Sequence, residues 1–286
     1  MEIRKVGVVG CGFMGSGIAQ VCAQSGYQVV VSEINDELLN KGLASINSFL
    51  TKSVEKGKIS QQDNEATLGR IKGTINMSNF FDCDLVVEAI IEKMDLKKKV
   101  FAELDKICSQ HTILATNTSC LSIIDLAMAT SKPQKVLGLH FFNPAPIMKL
   151  LEIVRTITTS DETLECCKDF GESLGKTVVI AKDTPGFIVN RLSIPFTLHA
   201  IRMLEAGVAT RDDIDVAVNL GLNHPMGPLA LADFLGIDTL YYIASSMYEE
   251  FKDPQYAPPT LLTKMVTAGW LGRKTGKGFY DYGKAV

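Results

Sequence analysis

A histidine and a glutamate twelve residues apart are the pair best suited to proton transfer. His140 stands in the segment VLGLHFFNP, where an apolar run ends before a turn forced by Asn143-Pro144. Glu152 interrupts the apolar run LLEIV, and a buried carboxylate is costly unless it is paired. A histidine–carboxylate pair can move protons at neutral pH. Two other interpretations stay open: His140 as a core histidine bonded to backbone, and Glu152 on a solvated strand face.

Two further polar residues can position a substrate oxygen. Ser119, in the segment TNTSC, follows a strand-like run, so its hydroxyl can bind a substrate or form a turn or helix cap. Asn190 falls early in the first helix expected of a second domain, where its amide can reach a substrate or face water. The sequence leaves both alternatives open at each position.

A glycine motif near the start of the chain predicts a dinucleotide site. Gly10, Gly12 and Gly15 form the pattern G-x-G-x-x-G between an apolar run and an amphipathic stretch. Such glycines permit a tight turn, close approach of a pyrophosphate and tight helix–strand packing, and the helix N-terminus attracts phosphates. Glu33 ends the next apolar run, 18 residues after Gly15, where a carboxylate binds a ribose and repels a 2′-phosphate. NAD is therefore favoured over NADP, against the alternative of a glycine-rich turn with a surface glutamate.

Apolar runs and amphipathic stretches alternate through the first 183 residues. The apolar runs predict strands at Lys5–Gly10, Tyr27–Glu33, Asp84–Ile90, Thr112–Thr116, Lys135–Phe142, Lys149–Val154 and Thr177–Ala181. The amphipathic stretches predict helices at Met14–Ser25, Asp36–Lys56, Asp95–Cys108 and Asp161–Leu174. Because this alternation is typical of βαβ units, we expect an α/β, Rossmann-type NAD-binding domain with a mostly parallel sheet over residues 1–183.

Only helical signals follow in the rest of the chain. Thr184 can cap a helix that has Pro185 at its first position and runs to about Ala206. Thr210 predicts the cap of the next helix. Further helices fit Leu229–Leu235, Asp238–Phe251 and Thr260–Ala268. We therefore expect an all-helical domain over residues 184–286.

Composition and charge exclude several classes of protein. Of 286 residues, 46% are hydrophobic and 21% charged, as in globular chains, and the net charge of −3 gives no attraction to nucleic acid. No apolar run approaches the roughly 18 residues that a membrane span needs, so no membrane partner is expected. Seven cysteines without C-x-x-C spacing indicate a reducing compartment, and we expect a cytoplasmic protein. The four histidines form no metal-ligand cluster, so no metal is expected.

Seven segments along the chain carry a family resemblance. They are GCGFMGSGIAQ, DLVVEAIIE, TNTSCLSI, GLHFFNPAPIMKLLEIV, KDTPGFIVNR, HPMGPLALADFLGID and GWLGRKTGKGFYDY, and they cover nearly the whole chain. The chain resembles the L-3-hydroxyacyl-CoA dehydrogenases, in particular the short bacterial members that act on 3-hydroxybutyryl-CoA. The resemblance implies hydride transfer with NAD(H) between (S)-3-hydroxybutyryl-CoA, or another short 3-hydroxyacyl-CoA, and acetoacetyl-CoA, in fatty-acid and butanoate metabolism.

The family pattern, transferred to the matching positions, implies roles for individual residues. His140 is implied as general base and acid oriented by Glu152, with Ser119 and Asn190 positioning substrate and cofactor. Lys56 is implied to approach the coenzyme A moiety. The implied cofactor-binding residues are Gly10, Gly12, Phe13, Met14, Gly15, Glu33, Glu92, Lys97, Ser119, Asn143 and Lys274. As an alternative, the helix charges of Glu92, Lys97 and Lys56 are simply solvated.

The sequence departs from the family pattern in two places. The usual TSS reads Thr118-Ser119-Cys120 here, which keeps the first serine. Glu33 stands where aspartate is usual, which keeps the charge and moves it by one methylene.

Two other functions and one assembly are consistent with the residues. The first is an NAD-dependent enzyme that acts on a free hydroxy acid, and the second is a non-catalytic NAD-binding protein. A complete set of His140, Glu152, Ser119 and Asn190 argues against the second, because a binder does not need a proton-transfer pair. The resemblance also implies a homodimer through the helical domain, whose apolar residues could alternatively fill its own core.

Overall fold

The computed structural model describes residues 2–283 and divides the chain into two compact units. They comprise Met1–Asp183 and Thr184–Val286. The first contains an eight-stranded sheet flanked by helices, and the second is helical. This confirms the predicted fold class, a Rossmann-type α/β domain followed by an all-helical domain.

In the sheet of the first unit, the direction in which successive strands are added changes at the first strand. The strands are β1 (Lys5–Val9), β2 (Gln28–Ser32), β3 (Ile71–Thr74), β4 (Leu85–Glu88), β5 (Ile113–Thr116), β6 (Val136–Phe141), β7 (Leu150–Arg155) and β8 (Thr177–Lys182). Their spatial order is β3-β2-β1-β4-β5-β6-β7-β8, and among these pairs only β6 and β7 run antiparallel. The chain builds outward from β1 to β3 and then returns to β4. The carboxyl ends of β1 and β4 therefore flank the crevice where open sheets bind ligands.

Six helices of the first unit lie between these strands. They are α1 (Phe13–Gln24), α2 (Asp36–Glu55), α3 (Gln61–Gly69), α4 (Met94–Ile107), α5 (Ile123–Ala127) and α6 (Asp161–Ser173). The sequence did not predict α3, β3 or α5. Helix α3 is polar on nearly all sides, but Ser60 and Asp63 form a capping box at its start, a signal that can be read from sequence.

The central strands are apolar because both faces of the sheet are covered. All four residues of β4 and all four of β5 are buried. Two of these residues are polar, Glu88 and Thr116, and each ends its strand. Continuous apolar runs are typical of such strands, and a polar residue among them needs a partner.

As far as residue 283, the second unit has five α-helices packed around its own core. They are α7 (Val189–Glu205), α8 (Arg211–Gly221), α9 (Pro228–Leu235), α10 (Ile237–Phe251) and α11 (Thr260–Thr267). The predicted start of α7 at Pro185 is wrong. Gly186 and Phe187 have φ angles of +80° and +47°, which a right-handed helix cannot contain. The predicted cap at Thr210 is confirmed, since its side chain accepts a hydrogen bond from the Asp213 backbone N–H.

Two buried aspartates organise the carboxyl-terminal part of this unit. Asp215 accepts hydrogen bonds from two backbone N–H groups in the first turn of α9, and Asp233 accepts them from Phe279 and Tyr280. The Tyr280 hydroxyl donates to Asp215, and burial together with this carboxylate raises the tyrosine pKa. Within residues 2–283, none of the helices has both the length and the apolar character of a membrane span.

Candidate active site

The glycine turn between β1 and α1 is held by close backbone packing. Gly10 has a φ of +97°, and a Cβ there would lie 2.7 Å from the carbonyl oxygen of Ala89 beyond β4. A Cβ on Gly15 would lie 1.8 Å from the carbonyl oxygen of Gly10. A Cβ on Gly12 would meet no atom within 4 Å, so this glycine borders open space. Only the outer two glycines are therefore required by the protein's own packing.

A cleft of about 730 Å³ lies beside this turn. The Glu33 carboxylate on its wall is fixed, because it accepts hydrogen bonds of 2.9 Å from the backbone N–H groups of Cys11 and Ile34. Helix α1 has no side-chain cap and no acidic residue in its first turn. Residues that line the cleft include Gly10, Gly12, Glu33, Ile34, Ile75 and Ala89. An uncapped helix N-terminus, an open glycine and a fixed carboxylate fit a dinucleotide.

The sheet itself brings His140 and Glu152 together. They are directly opposite in the antiparallel pairing of β6 and β7, so their side chains share one face. Their atoms Nδ1 and Oε2 are 2.7 Å apart, and the two side chains are 6% and 0% exposed. The contact suits a histidine tautomer that has its proton on Nδ1, because a carboxylate oxygen can accept that N–H. The interpretation of Glu152 as a solvated residue is therefore wrong.

Residues 117–121, which we call the serine loop, follow β5 and contain Ser119. The backbone N–H of Ser119 donates to Glu92 Oε1 at 3.0 Å, and the Thr118 hydroxyl donates to the same oxygen. Lys97 Nζ lies 3.1 Å from the other oxygen of Glu92. The structure thus brings three predicted cofactor residues together. Lys97 is only 1% exposed, so its interpretation as a solvated helix charge is wrong.

A side-chain amide connects the serine loop to the histidine strand. Asn117 Oδ1 accepts a 2.9 Å hydrogen bond from the backbone N–H of Phe141, the residue after His140. The Asn117 backbone N–H donates in turn to the carbonyl of Glu88 at the end of β4. The ends of β4, β5 and β6 are therefore joined next to the His140–Glu152 pair.

Comparison with known proteins identifies the family. Residues 5–184 match the model of the 3-hydroxyacyl-CoA dehydrogenase NAD binding domain, and residues 186–282 match that of the C-terminal domain. The chain belongs to the 3-hydroxyacyl-CoA dehydrogenase family.

Relatives within this family are similar over nearly their whole length. A 3-hydroxybutyryl-CoA dehydrogenase of Mycobacterium tuberculosis is 48% identical over 282 residues, which is 98% of this chain and 99% of the relative. The crystal structure of M. tuberculosis FadB2 has a TM-score of 0.97 and 47% identity, and the match covers 99% of this chain and 100% of that one. The structure of (S)-3-hydroxybutyryl-CoA dehydrogenase PaaH1 from Ralstonia eutropha has a TM-score of 0.96 and 44% identity, with 99% and 100% covered.

Of four further residues implied by the family pattern, two lie elsewhere in the first unit and two belong to the second unit. Asn143 is exposed in the turn after β6, and Lys56 is the exposed C-cap of α2. Asn190 is the second residue of α7. Lys274 lies in a short 3₁₀ turn and forms an ion pair of 2.5 Å with Asp238 within the helical unit. Their roles toward cofactor and substrate remain predictions.

All seven cysteines of the chain are buried. Cys11, inside the glycine motif, packs its sulfur against α2, where a Cβ on Gly42 would lie 2.3 Å from it. Burial, and then the negative charge of Glu33, raises the pKa of this thiol to about 11. Burial likewise raises the pKa of Cys83 to about 12. Both side chains are therefore neutral thiols at physiological pH.

Three polar residues that support the site were not predicted from the sequence. Glu88, Thr116 and Asn117 bind the serine loop or its neighbours but received no role. Glu88 carried the same signal as Glu152, because each is a carboxylate that interrupts an apolar run. Within the described part of the chain, no group of three or more His, Cys, Asp or Glu residues is arranged to hold a metal ion.

Proposed function

We propose that this protein is an NAD(H)-dependent oxidoreductase that interconverts (S)-3-hydroxybutyryl-CoA and acetoacetyl-CoA. The buried His140–Glu152 pair, 2.7 Å apart, is the observation that carries the proposal, because it is a proton-transfer pair in a dehydrogenase family. The names of two similar relatives, from M. tuberculosis and R. eutropha, support the short acyl-CoA substrate.

His140 moves the proton in the proposed reaction. In the oxidation direction its Nε2 accepts the proton of the substrate 3-hydroxyl, and in reduction it returns that proton to the 3-keto oxygen. Glu152 accepts the Nδ1–H, keeps the ring in one tautomer and stabilises the imidazolium that forms. The Ser119 hydroxyl binds the same substrate oxygen. When bound beside the glycine turn, NAD(H) would supply the hydride chemistry at substrate C3.

NAD rather than NADP is the proposed cofactor. The Glu33 carboxylate is fixed beside the glycine turn by the backbone N–H groups of Cys11 and Ile34. Its charge repels a 2′-phosphate, and its oxygens can accept hydrogen bonds from ribose hydroxyls. The backbone of Gly12, Phe13 and Met14 at the start of α1 is proposed to face the pyrophosphate.

The remaining site assignments rest on the family pattern. We assign Glu92, Lys97, Asn143 and Lys274 to the cofactor site, with Lys97 acting through its carboxylate partners because it is buried. Asn190 and Lys56 are assigned to the acyl-CoA substrate.

A homodimer formed through the helical unit is the proposed assembly. The unit exposes large apolar side chains, including Leu192, Leu220 and Tyr242, which are 70%, 82% and 67% exposed. Exposed apolar surface of this kind is typical of interaction sites. Sedimentation at micromolar concentration is expected to give a dimer, and a monomer would contradict this assignment. The buried thiols are consistent with a reducing compartment, and we place the protein in the cytoplasm.

Oxidation of NADH with acetoacetyl-CoA tests the proposed function. The same assay is run with a longer 3-ketoacyl-CoA, with free acetoacetate, and with NADPH in place of NADH. We expect the highest kcat/KM with acetoacetyl-CoA and NADH. Activity with acetoacetate alone would indicate a free-acid dehydrogenase, and NADH binding without turnover would indicate a non-catalytic NAD-binding protein.

A further inference from the structure

A buried carboxylate without a role in the proposed reaction lies under the serine loop. Glu88 is the last residue of β4, is 0% exposed, and is the register partner of Thr116 at the end of β5. Its Oε2 accepts a 2.7 Å hydrogen bond from the Thr116 hydroxyl. Its Oε1 accepts from the Ile90 backbone N–H at 2.7 Å and from Lys97 Nζ at 2.6 Å. Such charge-assisted hydrogen bonds hold their partners strongly.

The ammonium group of Lys97 lies among three oxygens. Its Nζ donates hydrogen bonds to Glu88 at 2.6 Å and to the carbonyl oxygen of Ile90 at 3.4 Å, and it forms an ion pair of 3.1 Å with Glu92. The side chain is 1% exposed, so these contacts hold it in place. Lys97 therefore connects Glu88 to Glu92.

A second route runs from Glu88 to the serine loop through two threonines. Thr116 Oγ1 accepts from the Thr118 backbone N–H at 3.2 Å, and the Thr118 hydroxyl donates to Glu92. Thr118 Oγ1 also accepts from the Leu121 backbone N–H at 3.0 Å. The two routes close a ring of four hydrogen bonds and one ion pair, whose members are Glu88, Thr116, Thr118, Glu92 and Lys97. The Ser119 backbone is attached to this ring through Glu92.

Stability alone is a poor reason for such a ring. A buried ion pair is often no more stabilising than a well-packed apolar pair of the same volume. A satisfied polar network does, however, hold its members in one arrangement. Two members of this ring, Thr116 and Glu92, each accept a hydrogen bond from a backbone N–H of the serine loop.

We propose that Glu88 is a positioning residue, whose charge fixes the serine loop so that Ser119 meets the substrate oxygen. The claim rests on the proposed function only where it concerns the substrate. A displacement of about 1 Å at a reacting group can cost on the order of 100-fold in rate. Loss of the ring is therefore expected to lower kcat and to leave KM nearly unchanged.

Thr112, which precedes β5, and Thr116, which ends it, provide a matched test. Thr116 and Thr112 are both 0% exposed, and both hydroxyls donate at 2.7 Å, to Glu88 and to the carbonyl of Cys83 respectively. Thr116→Val breaks the ring, and Thr112→Val makes the same chemical change at the other end of the strand. We expect kcat to fall about 10-fold or more in Thr116→Val, with KM within about 3-fold. Thr112→Val is expected to keep the kcat of the wild type.

Changing Glu88 itself separates positioning from stability. Glu88→Gln leaves Lys97 without its buried counter-charge and is expected to lower both Tm and kcat. Glu88→Gln with Lys97→Met removes both charges and keeps an acceptor for Ile90, so Tm is expected to recover. If Glu88 only stabilised the fold, kcat would recover with Tm. We expect kcat to stay reduced by about 10-fold or more, because the ion pair between Lys97 and Glu92 is then lost and the ring stays open.

Hydrogen exchange of the serine loop gives a readout that does not need turnover. The backbone amides of residues 118–121 are expected to exchange about 10-fold faster in Thr116→Val and Glu88→Gln, and at the wild-type rate in Thr112→Val. Equal losses of kcat in the two threonine variants, or unchanged exchange in Glu88→Gln, would overturn the proposal. An inactive wild type with the expected exchange pattern would instead overturn the proposed function and leave the positioning role intact.

Discussion

The glycine turn after β1 and the serine loop after β5 lie at the same edge of the sheet but are held differently. Backbone atoms hold the glycine turn: Gly15 packs on the Gly10 carbonyl, and Gly10 packs on that of Ala89. Charged and hydroxyl side chains hold the serine loop, through Glu92 and the residues beneath it. The first arrangement tolerates no added atom at Gly10 or Gly15, whereas the second depends on charges that other side chains must balance. Disturbing each region should therefore give a different kind of defect.

The largest effect is expected at the His140–Glu152 pair, whose strand β6 is hydrogen-bonded to the serine loop through Asn117. His140→Gln removes the proposed base, and general acid–base catalysis is worth roughly 10²- to 10⁴-fold, so kcat should fall by about that factor. The Kd for NADH should change little, since the glycine turn is untouched. NADH-oxidation kinetics and a fluorescence titration measure the two quantities. His111→Gln, at an exposed histidine of the same unit, is the control, and near-normal turnover in His140→Gln would remove the base assignment.

Two alanine substitutions in the glycine turn separate its internal packing from its proposed binding of the cofactor. At Gly15 an added Cβ would lie 1.8 Å from a carbonyl oxygen, so Gly15→Ala should destabilise the fold by about 1–3 kcal/mol. At Gly12 the added Cβ meets no protein atom, so Gly12→Ala should keep the free energy of unfolding within about 0.5 kcal/mol. Gly12→Ala should nevertheless weaken NADH binding, because that space is assigned to the cofactor. Urea unfolding and NADH titration test both variants, and unchanged NADH binding in Gly12→Ala would contradict the assigned site.

The preference for NADH over NADPH tests the role of the Glu33 carboxylate, which the backbone N–H groups of Cys11 and Ile34 hold beside the glycine turn. Glu33→Gln removes the charge that repels a 2′-phosphate while keeping the side-chain length. The ratio of kcat/KM for NADH to that for NADPH should fall by about 10-fold. This change corresponds to a loss of about 1.4 kcal/mol in the free energy that discriminates between the two cofactors. Glu37→Gln, an exposed acidic residue in the first turn of α2, serves as the charge control. An unchanged ratio in Glu33→Gln would place cofactor discrimination elsewhere.

The smallest expected effect is a pH dependence of the free energy of unfolding, which arises at Cys11 in the glycine turn. Burial raises the pKa of Cys11 from 9.0 to about 11, so the native state keeps a proton that the unfolded chain loses above pH 9.0. The unfolded state then binds fewer protons, and the free energy of unfolding falls as pH rises from 9.0 toward about 11. Urea midpoints at pH 8 and 10 measure this decline, which should be shallower in Cys11→Ala. An equal slope in the two proteins would show that Cys11 is not one of the groups responsible.

Much of the fold could be predicted because its local signals are strong. Seven strands and the four long helices of the first unit show clear periodicity, whereas β3 is four residues long and α3 has no apolar stripe. The start of α7 was misplaced because Thr184 and Pro185 imitate a helix start. Only the backbone angles of Gly186 and Phe187 show that the helix begins at Val189.

The sequence by itself determined the glycine turn, the alternation of strands and helices, and the presence of a histidine and a glutamate in neighbouring strand-like runs. These features follow from local sterics and periodicity, which depend on residues close in the chain. Only the tertiary structure decided that His140 is opposite Glu152. It also decided that Glu88, Lys97 and Glu92 contact one another next to the serine loop. Strand register and the pairing of buried charges depend on residues distant in sequence, because a buried charge is stable only where the fold supplies its partner.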